Sequence, residues 1–112
     1  MSEPRRPVCG ERVRLPGHLV PAAVDLAAGA AAPEDVERAL RCVLERHPTG
    51  DHHAFVAERT PTGAVWTHWT RGREPAVLTA LDDCPVIGPD PAREPCCEYD
   101  QHPGGHTWQL GT

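Results

Sequence analysis

A short phrase of metal-ligand and turn-forming residues occurs twice in this chain of 112 residues. The first copy, CVLERHPTGDH, runs from Cys42 to His52, and the second, CEYDQHPGGH, runs from Cys97 to His106. Because the shared residues are borderline metal ligands and turn formers, while the residues between them change character, the repeat indicates metal chemistry rather than core packing. The sequence therefore predicts two related zinc-binding half-sites, in residues 9–57 and 82–110.

A structural zinc site takes four ligands in a tetrahedron, and each phrase supplies three. Upstream of each phrase stands one more cysteine beside a turn former, Cys9 before Gly10 and Cys84 before Pro85. Two Cys2His2 sites follow as the prediction, with one or two zinc ions as the cofactor. Their ligands are Cys9, Cys42, His47 and His52 in the first site and Cys84, Cys97, His102 and His106 in the second.

Three alternatives remain open from the sequence alone. His53 can take the place of its neighbour His52, and Cys96 can take the place of Cys97. Both cysteines of the second pair cannot easily share one ion, because neighbouring side chains in an extended segment point apart. Since Cys9 lies far upstream of its phrase, a protein that binds a single zinc ion at the second site is the third alternative.

The composition explains why a metal would be needed. Aromatic residues make up only 4% of the chain, and a domain of this size buries only about two thirds of the surface that its unfolded chain exposes. Small domains with thin cores commonly gain stability from disulfides or a structural metal. No hydrophobic segment long enough for a membrane span or a secretion signal is visible, which predicts a cytoplasmic protein in which disulfides are disfavoured. Metal thiolates are therefore a better interpretation of the cysteines than disulfides, and the odd count of five would leave one thiol unpaired in any case.

The pattern of residues predicts a small zinc-stabilised α+β domain with one or two N-terminal helices and a three- to four-stranded antiparallel sheet. Residues 1–8 are polar and proline-rich and are expected to form a flexible tail before a single domain, residues 9–112. Helices are predicted at residues 21–31 and 33–46, strands at 54–57, 64–70, 76–81 and 107–110, and an irregular segment at 82–95. Trp66 and Trp69 are expected on opposite faces of their strand, one in the core and the other near the surface.

Several segments also resemble small actinobacterial proteins that carry a Cys-x4-His-Pro-x-Gly-x-His motif and are regarded as zinc binders. The segments that carry the resemblance are Asp83-Cys84-Pro85, Glu94-Pro95-Cys96-Cys97, Gly104-Gly105-His106-Thr107-Trp108, Gly63-Ala64-Val65-Trp66 and Trp69-Thr70. The resemblance implies a metal site and a compartment, but no activity. The Cys-x4-His spacing is also similar to part of a retroviral zinc knuckle, but the Cys-x2-Cys that opens a knuckle is missing.

These observations favour a noncatalytic zinc domain that presents its sheet and tryptophans to a protein partner. A metalloenzyme with an open coordination position at the first site is an alternative, with Glu45, Asp51 or Glu58 as general base, although no His-Glu-x-x-His motif occurs. Metal handling or sensing is another alternative. Nucleic-acid binding is disfavoured by the net charge of −5, because phosphate backbones select basic surfaces. We assign no catalytic residue and expect the protein not to be an enzyme.

Overall fold

A computed structural model describes residues 4–111 of the chain. It has one α-helix and seven short strands, which confirms a small α+β fold. In chain order the elements are β1 (Arg6–Pro7), β2 (Arg12–Arg14), α1 (Val20–Ala27), β3 (Ala39–Arg41), β4 (His52–Glu58), β5 (Ala64–Trp69), β6 (Val77–Leu81) and β7 (Leu110–Gly111). Within residues 4–111, no helix has the length and apolar character needed to cross a bilayer.

Helix α1 confirms the first predicted helix, although it is shorter than the alanine-rich stretch that predicted it. Pro21 lies in the first turn, where its missing N–H removes no hydrogen bond. The helix ends because Ala28 adopts a left-handed conformation with φ of 54° and Gly29 follows with φ of 97°. Its buried side contains Val20, Ala23 and Ala27 and packs on the main sheet.

The main sheet is the predicted three-stranded antiparallel meander, with the strand order β4-β5-β6. Its register places His52 opposite Trp69 and His53 opposite His68, and a shift follows between Phe55 and Ala57. This sheet fixes the direction of His52, the final histidine of the first phrase, because that residue is the first of β4.

The second predicted helix, residues 33–46, is wrong. That stretch forms a 3-10 turn at Pro33–Asp35 and then strand β3, which pairs antiparallel with β2. Val36, Leu40 and Leu44 are all buried. Residues four apart lie on one face of a helix, but they also lie on one face of a strand, where every second residue points to the same side. Cys42, also fully buried, completes the alternation of a strand.

Both tryptophans of β5 are buried, which corrects the expectation of one near the surface. Trp66 is 3% exposed and Trp69 is 4% exposed. Trp66 packs edge-on against Phe55 and Tyr99, while Trp69 lies 5.5 Å from the ring of His52. The two faces of this strand are therefore both covered, and the sheet presents no indole to a partner.

The two ends of the described chain meet. Arg6 and Pro7, which the sequence placed in the tail, pair in parallel as β1 with Leu110 and Gly111 of β7. The predicted strand at residues 107–110 is a 3-10 turn for most of its length and enters β7 only at Leu110. The remainder of the predicted tail, residues 1–3, lies outside the described part of the chain.

Candidate metal centres

The first group of metal-ligating side chains consists of the four residues that the sequence predicted, Cys9, Cys42, His47 and His52. Each residue offers one ligand atom, and these atoms all lie within 4.8 Å of one another. Cys9 Sγ is 3.3 Å from His52 Nδ1, and Cys42 Sγ is 3.7 Å from His47 Nε2. Although Cys9 is distant in the sequence, the structure brings it to the other three ligands.

Backbone pairing explains how Cys9 reaches this position. The Cys9 amide donates to the Leu44 carbonyl at 2.8 Å, and the Cys42 amide donates to the Glu11 carbonyl at 2.8 Å. The two cysteines therefore lie on adjacent antiparallel segments that continue into β2 and β3. After Cys42 the chain turns through Pro48 and Gly50, whose φ is 91°, and this turn returns His52 toward the same point.

The second group contains Cys84, Cys96, His102 and His106, again with ligand atoms within 4.8 Å of one another. Cys84 Sγ is 3.7 Å from His106 Nδ1, and Cys96 Sγ is 3.4 Å from His102 Nε2. The two histidine nitrogens, His102 Nε2 and His106 Nδ1, are 3.2 Å apart. The turn between them contains Gly104, which has a φ of 76°.

The predicted ligand Cys97 does not belong to this group, and Cys96 stands in its place. Cys96 is 5% exposed and faces the histidines, whereas the exposed Cys97 thiol points to the Pro95 carbonyl. Neighbouring side chains of an extended segment point to opposite sides, so only one of the two can face the group. At the other ambiguous position the structure places His52 in the group, and the half-buried His53 lies beside Tyr99 and His68.

The two groups share one backbone pattern. In the second group the Cys84 amide donates to the Glu98 carbonyl at 2.9 Å, and the Cys96 amide donates to the Val86 carbonyl at 3.3 Å. In both groups, each cysteine amide therefore bonds the carbonyl two residues beyond the partner cysteine. This match makes Cys96 the counterpart of Cys42, which the comparison of sequence phrases could not show.

The histidines also correspond atom by atom. In each group the second histidine of the chain, His52 or His106, faces the first cysteine through Nδ1. The first histidine, called the middle histidine because it lies between the second cysteine and the second histidine, is His47 or His102 and faces the second cysteine through Nε2. The other ring nitrogen of the middle histidine lies near a backbone carbonyl, that of Thr49 for His47 and that of Pro103 for His102. Such a contact fixes the tautomer that leaves Nε2 free to ligate a metal.

The shortest separations between ligand atoms in the two groups suit a tetrahedral ion. A zinc ion with bonds of about 2.3 Å to sulfur and about 2.0–2.1 Å to nitrogen holds a sulfur and a nitrogen about 3.5 Å apart. It holds two nitrogens about 3.4 Å apart. The sulfur–nitrogen separations of 3.3–3.7 Å and the nitrogen pair at 3.2 Å agree with this geometry. Four protein donors would fill the coordination sphere in each group.

Burial affects the acid–base properties of the ligands. Desolvation raises the pKa of the Cys42 thiol to about 11, and burial also raises the pKa of Cys84. For His52, desolvation and then the nearby His47 lower the pKa, which favours the neutral imidazole. A metal ion requires neutral imidazoles and thiolates, so these sites favour the metal-binding form of this histidine but must lose protons from the thiols.

One buried group distinguishes the two centres and was missed in the sequence. Glu98 lies two residues after Cys96, as Leu44 lies two residues after Cys42 in the first group. Its side chain is 2% exposed, lies 3.7 Å from His102 Nδ1, and neither carboxyl oxygen has a hydrogen-bond partner among the described residues. Burial raises the pKa of Glu98 to about 8. An acidic residue in an otherwise ordinary loop gave no signal of this burial.

The segments that carry the two groups are in contact at two residues, each three positions after a cysteine ligand: one follows Cys42 and the other follows Cys96. In the first group this residue is Glu45, which accepts a hydrogen bond from the Gly105 amide, one residue before His106. In the second group it is Tyr99, whose ring lies 5.0 Å from that of His53, one residue after His52. Each centre therefore supports the segment that carries the last histidine of the other.

The carboxylates considered as general bases at the first centre are committed elsewhere or remain outside it. Glu45 contacts Gly105, and Asp51 contacts His68 and Thr70. Glu58 lies at the far end of β4 from His52. None of them belongs to either group of ligand atoms within the described residues. The three candidate general bases therefore stand outside the ligand groups, although the charges of Asp51 and Glu11 still act on the pKa of His52.

Comparison with known proteins adds no family to these observations. No protein-family model, no curated protein and no solved structure matches the chain.

Proposed function

We propose that this protein is a noncatalytic domain that binds two zinc ions and uses them to hold a surface for a protein partner. The observation that carries the proposal is the pair of four-residue Cys/His groups, each with its ligand atoms within 4.8 Å. A single cluster of this kind can arise by chance packing. Two clusters with the same backbone pairing and the same ring nitrogens argue for a common ligand.

The donor set supports zinc as that ligand. Two thiolates and two imidazoles in a tetrahedral arrangement suit zinc, whereas carboxylate and carbonyl oxygens suit magnesium and calcium. With two thiolates and two neutral imidazoles, a divalent ion also leaves the centre without net charge. A neutral centre is compatible with the buried positions of Cys42 and Cys96.

Four protein donors in each group and the small core both support a structural role. Catalytic zinc keeps one position for water or substrate, while structural zinc is held by four protein ligands. The core relies largely on alanine, valine and leucine side chains around Trp66 and Trp69. Binding of a structural zinc supplies about 10–16 kcal/mol to folding, which is large compared with the net stability of a small domain.

Metal stoichiometry tests the proposal directly. Native mass spectrometry of the purified protein should find two zinc ions per chain. Cys9→Ser and Cys84→Ser should each retain one ion, because each removes one ligand from a different centre. A cobalt-substituted protein should show the intense visible bands of tetrahedral thiolate-bound cobalt at both centres. A metal-free protein with an unchanged melting curve in strong chelator would refute the proposal.

A further inference from the structure

The ribbon formed by β2 and β3 carries an exposed basic surface. Arg12 and Arg14 project from the same side of β2, because they are two residues apart in a strand. Arg41 lies directly opposite Arg12 on β3. These three exposed side chains and their strand neighbours line an open groove of about 570 Å³. We name the three arginines, Arg12, Arg14 and Arg41, the arginine face.

The arginine face makes no ion pair within the described residues, although Glu11 and Glu74 line a neighbouring depression beside Arg12. Among residues 4–111, none of its guanidinium groups has a carboxylate within ion-pair distance, whereas Arg6, Arg71 and Arg93 each have one. Arg12 and Arg41 are like charges directly opposite each other, and such a pair is destabilising in a sheet. The chain as a whole has a net charge of −5. The arginine face is therefore a positive surface on a negatively charged chain, and an anionic ligand would relieve the repulsion between its arginines.

The first metal centre holds this ribbon at its base. Cys42 directly follows Arg41, and Cys9 lies three residues before Arg12. The Gly10 amide donates to the Cys42 carbonyl at 3.0 Å, so the cysteines and the ribbon form one paired unit. An ion bound between Cys9 and Cys42 would fix the relative position of the two strands and hence of the arginine face.

We propose that the arginine face binds an extended acidic segment of a partner protein, with carboxylates at every second position. This inference depends on the proposed function, since it identifies the surface that the zinc domain presents. Arg12 and Arg14 are separated by about 7 Å along the strand. In an extended peptide, side chains two residues apart are also separated by about 7 Å and point to the same side. Guanidinium groups bind carboxylates through paired, charge-assisted hydrogen bonds.

The charge distribution favours such a short segment over a nucleic acid. Phosphate contacts supply nucleic-acid affinity in proportion to their number, and the face offers only three guanidiniums. A continuous phosphate backbone would extend past the groove into the field of a chain with a net charge of −5. A short acidic segment places its charge only where the arginines are.

The test uses the zinc-loaded full chain and fluorescence anisotropy. One labelled peptide has glutamate at every second position, and a second has the same composition with its glutamates in one block. A single-stranded oligonucleotide of equal charge is the third probe. We expect the alternating peptide to bind more tightly than the other two, and its binding to weaken as salt increases.

Two double variants with equal change in net charge provide the control. Arg12→Glu with Arg14→Glu should weaken binding of the alternating peptide by at least about tenfold, while Arg5→Glu with Arg93→Glu, which alters exposed arginines that line neither the groove nor the depression beside Arg12, should not. Arg12→Gln with Arg14→Gln repeats the test without charge reversal. Zinc content is measured in every sample.

Equal losses in the two charge-reversed variants, stronger binding of the block peptide or the oligonucleotide, or no peptide binding would each overturn the inference. If two zinc ions are present and no peptide binds, the arginine face is refuted and the zinc domain stands. If zinc is absent from the wild-type protein, the proposed function itself fails.

Discussion

The Glu45 carboxylate accepts a hydrogen bond of 2.8 Å from the Gly105 amide, so a residue between two ligands of the first centre holds the turn between two ligands of the second. Arg6 lies 3.3 Å from the same carboxylate oxygen. The position of this turn determines where His106 points. The geometry of the second centre is therefore connected to the first through this side chain, in addition to the contact of Tyr99 with His53.

Glu45→Ala should weaken metal binding at the second centre without removing any ligand. Loss of one hydrogen bond of this kind costs about 0.5–1.5 kcal/mol, which corresponds to a decrease in affinity of roughly twofold to twelvefold. Competition with a chromophoric chelator, followed by native mass spectrometry, measures the one-metal species. Glu58→Ala removes an exposed carboxylate away from both centres and should change nothing. Equal metal affinities in the two variants would contradict a role for Glu45.

Gly104→Ala should destabilise the loaded protein more than Gly72→Ala. Both glycines have positive φ, 76° and 84°, and a left-handed conformation costs alanine about 1–2 kcal/mol. At Gly104 a new Cβ would also lie 2.8 Å from Glu45 Cβ, whereas at Gly72 it would meet no atom of the described residues within 4 Å apart from its chain neighbours. Chemical denaturation gives the two free energies of unfolding. Indistinguishable values would mean that the close approach of Glu45 to the turn has no energetic effect.

Cys96→Ser and Cys97→Ser distinguish the two adjacent cysteines. Because Cys96 faces His102 and Cys97 is exposed, the first variant should retain one zinc ion and the second should retain two. Native mass spectrometry gives the answer in one experiment. Loss of an ion from Cys97→Ser with two ions in Cys96→Ser would reverse the assignment.

Glu98→Leu should stabilise the loaded protein by about 1–3 kcal/mol. The change replaces a buried carboxyl group without hydrogen-bond partners by the residue that the first centre has at the same place, Leu44. Removal of an unsatisfied buried polar group recovers its desolvation cost. Glu98→Gln keeps a polar group there and serves as the control. A loss of zinc or of stability in the leucine variant would show instead that the carboxylate supports His102.

Zinc binding should release protons, and its apparent affinity should rise with pH. The pKa of the Cys42 thiol is raised to about 11 and that of Cys84 is also raised, so both thiols are protonated at neutral pH without metal. A metal ion binds the thiolates and displaces those protons. As the pH rises toward about 11, the proton at Cys42 competes less. Calorimetry in buffers of different ionisation enthalpy counts the protons, and a heat independent of buffer would contradict this expectation.

The sequence predicted the metal centres better than the backbone that builds them. Histidines and cysteines beside turn formers identify ligands locally, and seven of the eight predicted residues lie in the two groups. The helix at residues 33–46 failed because Val36, Leu40 and Leu44 fit two periodicities, and only pairing with the distant β2 decides between them. Cys96 required the same kind of information, since its register is set by pairing with the segment after Cys84.

The two centres also differ in how much of the chain each one encloses, which bears on the order of assembly. The ligands of the second lie within residues 84–106, while those of the first span residues 9–52, a segment about twice as long that includes α1. Each doubling of a closed loop adds about 0.6 kcal/mol of chain entropy to be overcome. The C-terminal centre is therefore expected to form first during refolding, and the N-terminal centre then closes around the helix as the later, slower step.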